Sequence, residues 1–193
     1  MEGFEHVVKV ALEAEQFIVA GNLKFPVKRQ TRKAAYEEMQ EHGYEVDLVG
    51  ARADKLVLAS VKSYFGSHGV SEAGFCGLSK TPHPKREKGY ILFNEPDVQQ
   101  KLIAAACNRF GYAPEQVELR LYVGKFRSPA AQQAITEHLA HPPAGLRPAQ
   151  VIGLNEILDR VLSVAGPKTY FNDPVIMTLK ALKHADMINS AKK

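Results

Sequence analysis

Apolar side chains recur at helical spacing from the start of the chain. In "FEHVVKVALEAEQFIVA", residues 4–20, Phe4, Val7, Val8, Ala11, Leu12 and Ala14 fall on one face, opposite Glu5, Lys9 and Glu13. The spacing predicts a helix stopped by Gly21 and Asn22. "LKFPV", 23–27, then reads as a short extended segment whose Pro26 suits a sheet edge or strand end. "TRKAAYEEMQEH", 31–42, predicts a second helix, capped by Thr31 and followed by Gly43.

The period then changes to two. "YEVDLVG", 44–50, and "LVLASVK", 56–62, alternate as strands on either side of a tight turn at Asp54-Lys55, which predicts a hairpin. Residues 63–93, rich in Gly, Ser, Pro and His, read as a long loop of the kind that carries function. Residues 95–111 predict a helix with Pro96 at its start and Gly111 at its end, and 116–126 predict another alternating strand. A strand reached through a crossover helix lies parallel to one already in the sheet. The order therefore predicts an α/β sandwich on a small mixed sheet, covering residues 1–128. Residues 129–193 read as a C-terminal helical extension, with helices over 129–140, 150–165 and 173–188, the last capped by Asp173.

Composition changes this picture little. Of 193 residues, 45% are hydrophobic and 24% charged, as in ordinary globular proteins. No apolar run reaches the ~20 residues that cross a bilayer, the acidic amphipathic N-terminus does not resemble a signal peptide, and Cys76 and Cys107 have no metal or redox spacing. These features predict a cytoplasmic protein without a membrane partner. Charge adds more. The net charge of +4 is concentrated in "KFPVKRQTRK", 24–33, and "KTPHPKREK", 80–88. Such clusters neutralise phosphates, so Lys28, Arg29, Arg32, Lys33, Lys85, Arg86 and Lys88 are candidate nucleic-acid contacts; solvated loops are the plainer alternative.

Strand alternation also places a polar site. Glu45 and Asp47 share one face of their strand, with Val46 and Leu48 on the other; Ser60 and Lys62 share a face with Leu56 and Leu58. With the turn at 53–55, Asp47 and Lys62 both fall at the end of the hairpin far from the turn, where carboxylate and ammonium can meet. The plainer reading is a solvated strand-end ion pair, which contributes little to stability.

A helix opening with Phe4-Glu5, a strand with Asp47-Leu48-Val49, and Ser60-Val61-Lys62-Ser63-Tyr64 together resemble the PD-(D/E)XK nuclease superfamily, nearest its Mrr-type branch. The resemblance spans about residues 1–126. It implies a restriction-endonuclease-like core of helix, three strands, helix and strand. It also implies an Mg²⁺- or Mn²⁺-dependent endonuclease acting on double-stranded DNA, for which a homodimer supplies two sites. Asp47 would be the main metal ligand, Glu5 a helix-borne ligand or water-positioner, and Lys62 the group that orients the attacking water. Acidic oxygens suit hard Mg²⁺, and a metal beside a lysine stabilises charge developing on a phosphodiester.

Ser60 departs from the pattern, since the family carries Glu, Asp or Gln there. Either another acid, Glu45 or Glu13, completes the site, or the chain is a non-catalytic DNA-binding protein that keeps the nuclease fold. Glu45 lies about 6–7 Å from Asp47 along the strand, within reach of a second metal or a bridging water. Glu13 reads better as part of a salt-bridged helix face with Lys9. His138 and His141 read as a helix C-terminal pair, Tyr64 and Phe65 as core residues ahead of the alternative that they stack on a base, and the last helices as a hairpin or a helix-turn-helix presenting Lys180, Lys183 and His184.

Overall fold

The computed structural model describes residues 2–30, 39–76, 90–166, 168 and 170–188. Helix α1 spans Gly3–Ala14. Its first turn is closed by Glu5, whose carboxylate accepts from the Glu2 backbone N–H at 3.0 Å. The helix ends well before the expected stop. Gln16 takes a left-handed φ of 67°, and the Phe17 N–H returns to the Leu12 carbonyl at 3.3 Å. That is the chain reversal glycine usually provides, made here by a glutamine.

Ile18 therefore opens a strand rather than extending the helix. Strands β1 (Ile18–Gln30), β2 (Met39–Arg52) and β3 (Lys55–Lys62) form an antiparallel meander. The expected helix over 31–42 is corrected in its last turn: Met39 to His42 belong to β2, paired with β1. Residues 31–38 lie outside the described residues. β1 is an edge strand, and Pro26 is accommodated there opposite Gly43.

Short helices α2 (Glu72–Phe75) and α3 (Ile91–Asn94) precede α4 (Pro96–Phe110), which ends at Gly111 in the left-handed region, φ 77°. Strand β4 (Val117–Val123) then pairs parallel to β3. Helix α5 (Pro129–Ala140) leads to a fifth strand, β5 (Ala149–Gly153), parallel to β4. Residues 129–193 are thus not purely helical: β5 extends the mixed sheet, which runs β1-β2-β3-β4-β5. Helices α6 (Leu154–Ala165) and α7 (Pro174–His184) follow.

Two apolar layers cover the sheet. On one side Leu56 and Leu58 of β3 pack with Leu102 and Ala106 of α4 and Ile135 of α5. On the other, Val57, Ala59 and Val61 pack with Leu12 of α1, Val161 of α6 and Ile176 of α7. β3 alternates as expected. β1 and β2 do not: Val46 joins the first layer and Leu48 the second, while Leu23 joins the first and Val19 packs against the second. Both strands roll over between these positions, at Asn22 and Asp47, and Asn22 has a φ of 54°. Asparagine tolerates that conformation better than most residues.

Asp173 ties the last helix down. Its Oδ1 accepts from the N–H groups of Val175 and Ile176, and its Oδ2 lies 2.8 Å from His6 Nε2 on α1. Burial pushes this carboxyl up, but the Ile176 N–H, His6 and the Val175 N–H together outweigh it and hold it below its ordinary value. Asp173→Ala is expected to lower stability by about 1 kcal/mol at neutral pH, in the range for a lost N-cap. A group with a depressed folded value stabilises above its unfolded value and loses that effect as pH falls through the folded one. The deficit should therefore fade below about pH 4, which urea titrations of both proteins at several pH values will read.

Candidate functional site

The roll of β2 at Asp47 builds the site. Paired residues of β2 and β3 end at Leu48 and Ala59. Just beyond them, the Val61 N–H donates to Asp47 Oδ2 at 2.6 Å. A side-chain carboxylate has taken over the acceptor role that a strand backbone would otherwise fill. The same oxygen accepts from the Ser60 hydroxyl at 3.0 Å and lies 3.4 Å from Lys62 Nζ. Asp47 and Lys62 side chains are 22% and 21% exposed, so the pair is partly shielded and not a freely solvated surface contact. Among the described residues, none donates to Oδ1.

Asp47 and Lys62 line a cleft of about 490 Å³ together with Glu5 from α1 and Tyr64 and Phe65 from the loop after β3. Residues from three separate elements thus line one cleft, with the Glu5 carboxylate also accepting from the Glu2 N–H at the start of α1. Glu45 is not among the lining residues; it is engaged beside β1 by Asn22 Nδ2 at 3.1 Å and Lys24 Nζ at 3.7 Å. Glu13 pairs with Lys9 at 3.4 Å along α1. Among the described residues, no three His, Cys, Asp or Glu side chains gather as a metal-binding group.

Ser60 has a definite place. Its hydroxyl spends its proton on Asp47 Oδ2 and, with the Val61 N–H, fixes the orientation of that carboxylate. It acts as a positioning residue for Asp47.

The basic clusters fare differently. Lys28 pairs with Glu41 in the β1–β2 ladder, about 20 Å along β2 from Asp47 at the strand rise. It lines a separate groove with Phe25, Pro26 and Lys101. Arg29 contributes its backbone to β1. Arg32, Lys33, Lys85, Arg86 and Lys88 lie outside the described residues.

Tyr64 and Phe65 correct the expectation of core packing. They are 38% and 53% exposed at the mouth of the cleft. Nothing in the local periodicity marks them, because they stand in irregular chain just past the strand. His138 is turned inward instead, with its ring against Phe75 and its Nε2 3.1 Å from Asn94 Oδ1. α7 packs Ile176, Val175 and Leu179 against the second layer, so its apolar face serves a helical hairpin. Cys76 is no nucleophile at neutral pH: burial, aided by Glu72, pushes its thiol up to about 11.

A scan against protein-family models finds no match, and a search of curated proteins finds none. Among the described residues, no helix is long and apolar enough to cross a membrane.

Proposed function

We propose that the cleft is a metal-dependent phosphodiester-hydrolysing site acting on DNA, in the manner of the PD-(D/E)XK nucleases. The observation that carries this reading is the convergence of Asp47, Lys62 and Glu5 from β2, β3 and α1 on one cleft. The antiparallel meander followed by a crossover helix and a parallel strand supports it, since it is the element order that the motif resemblance implies. The donor set also fits. Mg²⁺ is typically held by one or two carboxylates, with waters and substrate phosphate oxygens completing its shell, so a site of two acids suffices.

Asp47, through Oδ1, and Glu5 would hold the metal. When bound, Mg²⁺ supplies Lewis-acid polarisation of phosphoryl oxygens and favours deprotonation of water. Lys62 places a positive charge where the phosphodiester's oxygens gain negative charge during attack, in a partly desolvated cleft where that charge acts strongly. Ser60 and the Val61 N–H keep the Asp47 carboxylate from rotating. Its preorganisation is therefore complete before substrate arrives.

Asp47 Oδ2 already has three donors, and Ser60 stands where the family carries Glu, Asp or Gln. This favours a second reading, a DNA-binding protein that keeps the architecture and does no chemistry. Purified protein incubated with plasmid and oligonucleotide substrates in Mg²⁺, Mn²⁺ or chelator separates the two. Metal-dependent cleavage is the expected result. Salt-sensitive binding with intact substrate in Mn²⁺ leaves the binder alone standing, and an absence of binding at low salt removes both.

A further inference from the structure

Phe65 is the most exposed aromatic side chain of the cleft. It is 53% exposed, yet it is not loosely held. Its ring meets Phe4 edge-on, with centroids 5.1 Å apart at 85°. Its far edge lies against Gly124, where an added Cβ would stand 2.7 Å from Phe65 Cζ. The same Cβ would stand 2.6 Å from the Ser63 carbonyl oxygen, so the close backbone approach calls for glycine at 124 and the ring edge occupies the space beside it. One part of the ring is thereby seated, and the remainder is presented to solvent beside Asp47 and Lys62.

The loop carrying it is fixed at a conformational cost. Tyr64 adopts a left-handed φ of 51°, a strained conformation for a bulky residue. The Tyr64 carbonyl accepts from both the N–H and the hydroxyl of Ser67, at 3.1 and 3.2 Å. Lys125 Nζ in turn donates to the Ser67 carbonyl at 2.8 Å. A strained, cross-braced loop that holds an aromatic ring out of the core suits a ligand-binding platform.

We propose that Phe65 stacks on an unpaired base of the strand whose phosphate lies at Lys62, so that the site takes single-stranded or locally unpaired nucleic acid; this rests on the reading of the cleft as a phosphodiester site. A ring held beside a phosphate-binding lysine can use the π-face that every base carries. Inside a duplex both faces of each base are already stacked on neighbours. Only single strands, ends, flaps and bulges offer a free face. Exposed Lys125 and Arg127 line the adjoining cleft, where the backbone of such a strand would continue.

The chain contains no tryptophan, so Phe65→Trp introduces a single indole fluorophore at the point of contact. Binding is read independently from the anisotropy of a labelled single strand and of a blunt duplex of equal phosphate number, with and without Mg²⁺ at low salt. Titration with the unlabelled single strand is expected to quench the indole emission of the F65W protein, whereas the duplex leaves it unchanged. Phe65→Ala should weaken single-strand binding about tenfold while leaving duplex binding and the melting temperature nearly unchanged. Single-strand binding with unchanged emission, or equal losses on both substrates in Phe65→Ala, overturns the stacking role and leaves the phosphodiester reading intact. Failure of both oligonucleotides to bind the wild-type protein overturns the two together.

Discussion

Replacing Arg120 with alanine is expected to destabilise the protein by about 3–5 kcal/mol, the cost of stripping one partner from a buried charge cluster. Its side chain is 6% exposed. Nε donates to Glu118 at 2.7 Å, and Nη1 reaches both oxygens of Glu15 at 2.9 Å and the Tyr122 hydroxyl at 3.0 Å. Glu15 is held again by Arg160, at 2.6 Å, and Glu118 by Lys55, at 3.0 Å. The cluster thereby joins the end of α1 to β3, β4 and α6. Alanine leaves two carboxylates and a fully buried tyrosine hydroxyl without their shared donor.

The pH dependence follows. Burial pushes the Glu118 carboxyl up, but Arg120 and Lys55 together outweigh it and hold it below its ordinary value. In the wild type this contribution is present above the unfolded value and lost as pH falls through the folded one. The gap between wild type and Arg120→Ala in urea titrations should narrow as pH falls below about 4. A gap that stays constant would mean that the lost stability is packing, not charge.

Lys62→Ala is expected to reduce DNA cleavage by about a hundred- to a thousandfold, the usual loss when a group stabilising developing charge is removed. Stability should barely change, because a partly exposed ion pair contributes about 1 kcal/mol or less. Asp47→Ala behaves differently. It abolishes the acceptor shared by Ser60, Val61 and Lys62, so activity is lost together with about 1–3 kcal/mol of stability from the stranded Val61 N–H. Comparing cleavage and melting for both variants separates chemistry from support.

The parts of the fold legible in the sequence are those in which one rule acts alone. The hairpin turn falls at Ala53-Asp54, one residue before the expected Asp54-Lys55, and with the alternation of β3 it puts Lys62 at the end of its strand, beside Asp47, as expected. Helix α4, framed by Pro96 and Gly111, is equally clear. Misreadings fall where two rules compete. "EEMQEH" consists of good helix formers, yet its end is drawn into β2 by pairing with β1, a tertiary preference that local propensity does not carry. β5 is five residues long and runs directly into α6, so its apolar positions blend into the helical period that follows.

The site is legible only in outline. Alternation puts Asp47 and Lys62 at one end of the hairpin, but the local roll of β2 that aims the carboxylate at Val61 N–H has no sequence signature. Asn22, near that roll in β1, is the nearest thing to one. Ser60 is a mismatch to the motif when read as a letter, and a hydrogen-bond donor to Asp47 when seen in place.

Plasmid nicking in Mg²⁺ by wild type and Lys62→Ala, prepared in parallel and matched for folding by circular dichroism, bears most heavily on the site. The expected result is metal-dependent nicking by the wild type that falls by at least about a hundredfold in the variant. Equal nicking by the two proteins, or a plasmid and a single-stranded oligonucleotide both left intact by the wild type in Mg²⁺ and Mn²⁺, would contradict the nuclease reading.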